Sequence, residues 1–296
     1  DVYKRQLIYP LNIPFPTFFL IACAQALLFL SLIGLIFLIA LIGPWFVGDP
    51  LALSAGPRLT GPTPTSPFGT DQYGMDILSR VVNGARIDLF TGFTASFIAA
   101  SIGMPLGAFA AYKKGTLDQI LLRTSESFQA FPVLILAMGT IAAIGSSMVN
   151  IIFVIAIVNV PVYIKLTRSS VVPVLDKDFV HAARCAGKSD IRILFKHILP
   201  NVSPVVISQF SVNCAWAIQI LAALSFVGLG VKLPTPEWGA MVAEGRDFIL
   251  NAWWISTLPG LVIVLTGFTL CLICLLYTSD AADDTPCVDL GGRRII

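Results

Sequence analysis

The chain has 296 residues, 56% of them hydrophobic and 12% charged, about half the charge fraction of an ordinary soluble domain, which runs near 25%. So little charge cannot cover a water-soluble globule, and a net charge of +2 spread over scattered loop positions leaves no basic patch for nucleic acid. Apolar runs recur at the roughly 20 residues that a bilayer-crossing helix needs. They are continuous rather than alternating, which favours an all-α integral membrane protein of about six transmembrane helices over a barrel.

In chain order the apolar segments cover 17–43, 89–111, 124–145, 149–167, 203–230 and 253–276. The first starts too late and runs too long for a secretory signal, and Gly43-Pro44 ends it without a small-residue cleavage site, so it is read as a retained span. Residues 44–70, rich in Pro, Gly, Ser and Thr, read as an irregular loop. From Asp71 to Arg86 the apolar positions Ile77, Leu78, Val81, Val82 and Ala85 recur at helical spacing opposite Asp76, Arg80, Asn83 and Arg86, which predicts an amphipathic helix at the external membrane surface. Prolines at 105, 132, 161, 204 and 259 fall in or beside spans, where they predict bends. Residues 1–6 (Asp-Val-Tyr-Lys-Arg-Gln) and 277–296 (from Tyr-Thr-Ser-Asp to Gly-Gly-Arg-Arg-Ile-Ile) resemble translated adapter sequence. They are read as a non-native leader and tail flanking a transmembrane domain at 7–276, the alternative for the tail being a native acidic segment without fixed structure.

Lys and Arg mark cytoplasmic loops. The connection between the fourth and fifth spans carries Lys165, Arg168, Lys177, Arg184, Lys188, Arg192 and Lys196, and the shorter one after the second span carries Lys113 and Lys114. Both are expected inside, together with both termini, which puts 44–88 and 231–252 outside.

The basic connection, 168–202, is the most informative stretch. Ala182, Ala183 and Ala186 offer a small-residue helical surface that another backbone can approach closely. Gly187 can end that helix, Ser189 or Asp190 can cap the next, and Pro200 is expected to stop it. Two short helices meeting at a glycine are predicted, shaped to enter a partner's cleft. Gly187-Lys188-Ser189 matches the end of a phosphate-binding loop, but its first glycine is replaced by Ala182 and no apolar strand leads in, so a nucleotide site is rejected.

These residues carry a family resemblance. His181-Ala182-Ala183, Gly187 with Lys188 and Ser189, and the closing Ile198-Leu199-Pro200 resemble the cytoplasmic "EAA" loop of ABC-importer permeases, with His181 where that family usually has Glu. Phe68-Gly69-Thr70-Asp71, Gly74, Asp76, Ser79-Arg80 and Gly84-Ala85-Arg86 resemble the motif of the dipeptide/oligopeptide branch. So do Leu224 to Gly230 and Pro234-Thr-Pro-Glu-Trp-Gly through Arg246. The resemblance covers roughly residues 10–270. It implies a type I ABC-importer permease fold with a cytoplasmic coupling helix, in a bacterial or archaeal cytoplasmic membrane. It also implies a transport subunit rather than an enzyme, with ATP and magnesium on a separate ATPase and no cofactor or metal in this chain. The partners implied are a second homologous permease, two cytoplasmic ATPases, an extracytoplasmic solute-binding protein and lipid. Asp76, Arg80, Arg86, Glu237, Trp238, Glu244 and Arg246 are then expected on the outer surface that meets the binding protein. The branch implies di- or oligopeptide cargo, with nickel chelates and opines as alternatives.

Within the spans, Gln209, Asn213 and Trp216 share one face of the fifth and are candidates to line a passage, or to bond a neighbouring helix. No ionisable residue is expected near the middle of a span, which argues against a secondary carrier or channel that works without an ATPase. Glu126 and Arg123 are placed at the inner interface. The cysteines read as small apolar residues, the Cys271/Cys274 pair included, and His181 and His197 are too isolated for a metal site.

Overall fold

The computed structural model describes residues 31–32, 34–53, 56–232 and 234–283, with side chains through Leu272. Four helices in it are long and apolar enough to cross a membrane, and a fifth candidate is a bent pair. The elements are α1 (Gly34–Trp45), α2 (Ile77–Lys113), α3 (Thr116–Ala130), α4 (Val133–Ile144), α5 (Met148–Val171), α6 (Asp178–Cys185), α7 (Asp190–Phe226), α8 (Trp238–Gly245) and α9 (Trp254–Asp283). Much of the first predicted span lies outside the described residues, as do both outer parts of the predicted leader and tail.

Small residues let the spans approach closely. An added Cβ on Gly103 or Gly107 would run into the α5 backbone at Val160 and Ile164, and one on Gly92 would lie 3.1 Å from the Cys214 carbonyl of α7. In lipid there is no hydrophobic drive between helices, so backbone proximity of this kind supplies the packing. Ala95, Ser96 and Ala99 continue the same stripe of α2, all at 0% exposure.

Two sequence expectations are corrected. The segment 71–86 is not a separate surface helix. Asp76 caps α2, its Oδ2 accepting from the Ser79 N–H at 2.8 Å, and the helix runs unbroken for 37 residues with Ile77, Val81, Val82 and Ala85 buried. The third span bends at Pro132, where the sequence predicts a bend. Phe131 is extended (ψ 139°) because it precedes Pro132, and α3 and α4 meet at 89°. Pro200 does not stop the helix after Gly187. A π-helical turn at Leu194–Ile198, closed by the Leu199 N–H on the Leu194 carbonyl, removes the i−4 clash of the proline ring, and α7 continues to Phe226.

The break at Pro132 determines what α3 does. At 12 residues, α4 is about 18 Å long and cannot cross a core of about 30 Å by itself. Gln129 reaches Lys165 at 2.6 Å, and Asp118 holds Arg168 through two bonds of 2.6 and 2.7 Å. Both ends of α3 are thus tied to the last turns of α5, and α3 lies across them. Arg123 and Glu126 pair with each other at 3.1 Å on its exposed side.

Candidate functional site

At the end of the bundle carrying Lys113, α6 rests on the ends of the spans. Val180 and Ala183 turn inward onto Ala108, Ala111, Val171, Leu175, Ile193, Leu194 and Ile198. His181, Ala182, Arg184, Cys185 and Ala186 remain exposed. The small-residue surface predicted from the sequence is therefore split, since Ala183 is a packing residue while Ala182 and Ala186 face outward.

The turn after α6 is a Schellman motif. The Gly187 N–H donates to the Arg184 carbonyl at 2.9 Å and the Lys188 N–H to that of Ala183 at 3.2 Å, with Gly187 at φ +70°. Ser189 occupies the cap position of α7 but makes no side-chain capping bond. Asp190 is used elsewhere, accepting from Tyr112 Oη at 2.8 Å and Lys113 Nζ at 3.1 Å. Arg184 lies over the Tyr112 ring at 5.5 Å, and Lys188 Nζ sits 3.0 Å from His197 Nε2. Ile198 and Leu199 are buried in the same cluster and Pro200 is exposed. These contacts weld α6, the α7 start and the α2 end into one unit with one free face.

The opposite end holds a second polar constellation. Arg80, 1% exposed, donates from Nη1 to Asp71 Oδ2 at 2.6 Å and from Nη2 to Glu244 Oε2 at 3.0 Å. Asp71 Oδ1 accepts from the N–H groups of Tyr73 and Met75. Burial raises the Glu244 carboxyl above its ordinary range, Arg80 opposes that shift and Asp71 adds to it. Glu237 accepts the Gly239 and Ala240 N–H groups at the start of α8, and Trp238 Nε1 donates to the Val81 carbonyl at 2.8 Å.

Arg80, Glu237 and Trp238, expected on the outer surface, are instead buried at 1%, 0% and 1%. A guanidinium bridging two carboxylates through its Nη atoms, a helix-capping carboxylate and an indole with a bonded N–H all find partners inside the fold. Arg86 donates to the carbonyls of Ala40 and Leu41 at 2.7 and 2.6 Å and so secures α1. Glu244 and Arg246 front a cleft of about 440 Å³ that Phe226, Gly228 and Lys232 also line, with Arg246 stacked over Phe226 at 5.8 Å.

Among the pathway candidates, Gln209 Nε2 donates to Asn213 Oδ1 at 3.2 Å along one face of α7. Asn213 is 4% exposed, whereas Gln209 and Trp216 are half-buried. Asp88 was missed. It lies 11 positions into α2, in the first third of that helix and one position before the predicted second span, and is 0% exposed. Counting the span from residue 89 hid it, and nothing in the sequence links it to its partners 149 and 150 positions away.

Comparison with known proteins places this geometry in a family. The model of the binding-protein-dependent transport system inner membrane component matches residues 103–281. The chain belongs to that family. It is 38% identical over 245 residues to the di/tripeptide transport system permease protein DppC of Pseudomonas aeruginosa (strain UCBPP-PA14), covering 79% of this chain and 81% of that one. It is also 38% identical over 242 residues to the probable D,D-dipeptide transport system permease protein DdpC of Escherichia coli (strain K12), covering 81% of each. Among solved structures, an inward-facing conformation of the MetNI methionine ABC transporter matches 71% of this chain and 98% of its own, with a TM-score of 0.58 at 17% identity. That likeness establishes the type I permease fold. The chain is thus a multi-pass membrane subunit of an ATP-driven importer, a transport component rather than an enzyme.

Proposed function

We propose that this subunit translocates di- or oligopeptides, paired with a second homologous permease and driven by two cytoplasmic ATPases that seat the exposed face of α6. A solute-binding protein delivers cargo to the end carrying α8 and the cleft beside Arg246. Both termini lie in the cytoplasm, and ATP and magnesium act on the ATPases. One observation carries the reading: α6 has one face packed on the ends of α2, α5 and α7 and the other free. A force on the free face is delivered to three spans at once. Peptide cargo is supported by the peptide permeases to which the chain is similar.

The test is reconstitution in liposomes with the neighbouring permease, ATPases and binding protein, followed with a labelled dipeptide. Uptake is expected to require ATP and every component. Uptake by this chain without ATPase would replace the reading with a secondary carrier.

A further inference from the structure

Where α2 passes α8, two carboxyl groups meet out of reach of solvent. Asp88 and Glu237 are each 0% exposed, and both carboxyl groups accept backbone N–H groups from consecutive residues, 238 to 240, at the start of α8. Glu237 spends both oxygens on the N–H groups of Gly239 and Ala240, at 2.8 and 2.7 Å. Asp88 Oδ2 accepts the Trp238 N–H at 3.2 Å, while Asp88 Oδ1 is buried with no donor facing it. As two carboxylates, the pair would set acceptor against acceptor.

Among the described residues no cation relieves this. Arg80 of the same helix is taken by Asp71 and Glu244, and Arg86 by the Ala40 and Leu41 carbonyls. Lys232 is exposed, and Arg246 is 58% exposed beside Asp247. The packed stretches of α1, α7 and α9 (34–45, 201–226 and 254–272) contain no charged residue. Two like charges this close and this buried cannot both persist, and one proton shared between them is the ordinary resolution.

We propose that Asp88 and Glu237 hold one proton as a fixed part of the fold, with Asp88 Oδ1–H donating to the Glu237 carboxylate, and that this proton positions α8 at the outer mouth. It satisfies the orphaned Oδ1, leaves Glu237 free to cap α8, and joins the cap to the first third of α2. Trp238, whose backbone N–H and indole N–H both bond to α2, is held in place by the same contact. Removing the proton pushes the start of α8 away from α2, and with it the wall of the cleft that Glu244 and Arg246 line.

The inference rests on packing alone, but uptake as a readout rests on the transport reading, so two measurements are needed. An asparagine at 88 keeps both bonds, its amide N–H donating to Glu237 and its oxygen accepting from Trp238, without a proton to lose. In the assembled transporter, Asp88→Asn is expected to keep uptake within about twofold of wild type at neutral pH, while Asp88→Ala, which leaves the buried Trp238 N–H without its acceptor and α8 without this tie to α2, falls by about tenfold or more. As pH rises, wild-type uptake is expected to fall while that of Asp88→Asn holds. Separately, infrared spectra of the purified complex in lipid are expected to contain a protonated carboxylic-acid carbonyl band at neutral pH that Asp88→Asn removes. Absence of that band overturns the proposal whatever transport does. Identical pH profiles for wild type and Asp88→Asn, or an asparagine variant as defective as the alanine one at equal membrane abundance, overturn the positioning role.

Discussion

Two side chains show how much single positions carry. Gly187 has open space around it, with no atom within 4 Å of where a Cβ would stand. A side chain there meets only the strain of φ +70°, about 1–2 kcal/mol for a residue that avoids the left-handed region. Gly187→Val is therefore expected to loosen the Schellman turn and cut ATP-driven uptake severalfold with membrane insertion intact, while Gly187→Asn, which tolerates that conformation, stays near wild type. Equal uptake by the two would remove the turn from the coupling account. Arg80 is the contrasting case, since its surroundings leave no room for loss. Arg80→Ala abandons Asp71 and Glu244 in a buried site, and stranding buried partners costs about 3–5 kcal/mol. The expected result is a steep drop in folded protein recovered from membranes. Arg80→Lys is expected to rescue little, because a single ammonium cannot reproduce a fork that reaches two carboxylates. Normal yield and melting temperature for Arg80→Ala would show that water replaces the lost contacts.

Among the elements, α3 owes its placement to charge as much as to packing. Asp118 and Arg168 meet through a paired contact, with side chains 12% and 31% exposed. A partly open pair of this kind contributes about 1 kcal/mol. Reversing one charge, as Asp118→Arg, is expected to lift α3 from α5 and lower uptake, and the double exchange Asp118→Arg with Arg168→Asp to restore most of it. A double exchange no better than the single ones would mean that the pair is incidental. The same contact marks where the sequence stops being readable. Apolar runs locate the spans because lipid imposes a continuous requirement on each residue, and Gly187 locates the turn because its neighbours on both sides are helical. Element ends are another matter. Asp71, Asp88, Asp118 and Asp190 find their partners 9, 150, 50 and 78 positions away, and such pairings leave no local periodicity. Pro132 and Pro200 make the same point: equally strong breakers by local chemistry, one turns the chain by 89° while the other is absorbed by a widened turn of helix.

At the scale of the whole molecule, the fold has two polar ends of different character. One holds two largely buried clusters, Asp71 with Arg80 and Glu244, and Asp88 with Glu237, that tie α8 and the loop before α2 to the bundle. The other presents the free face of α6 amid Lys113, Arg184, Lys188, Arg192 and Lys196. Positive residues accumulate on the cytoplasmic side, and the structure gathers the two basic connections, which are separate in sequence, at a single end through the Lys113 to Asp190 contact. Orientation can therefore be tested directly. Cys185 is exposed in the last turn of α6, whereas Cys214 is buried in α7. In a variant that keeps Cys185 as its sole cysteine, a membrane-impermeant maleimide is expected to label inside-out vesicles and to leave right-side-out vesicles unlabelled. Adding the ATPase subunits should then slow the labelling, because the docked subunit covers the face on which Cys185 sits. Labelling from the outside would reverse the bundle in the membrane and take the driving force away from α6. Labelling from the inside that the ATPases do not slow would keep the orientation but move their contact to another surface.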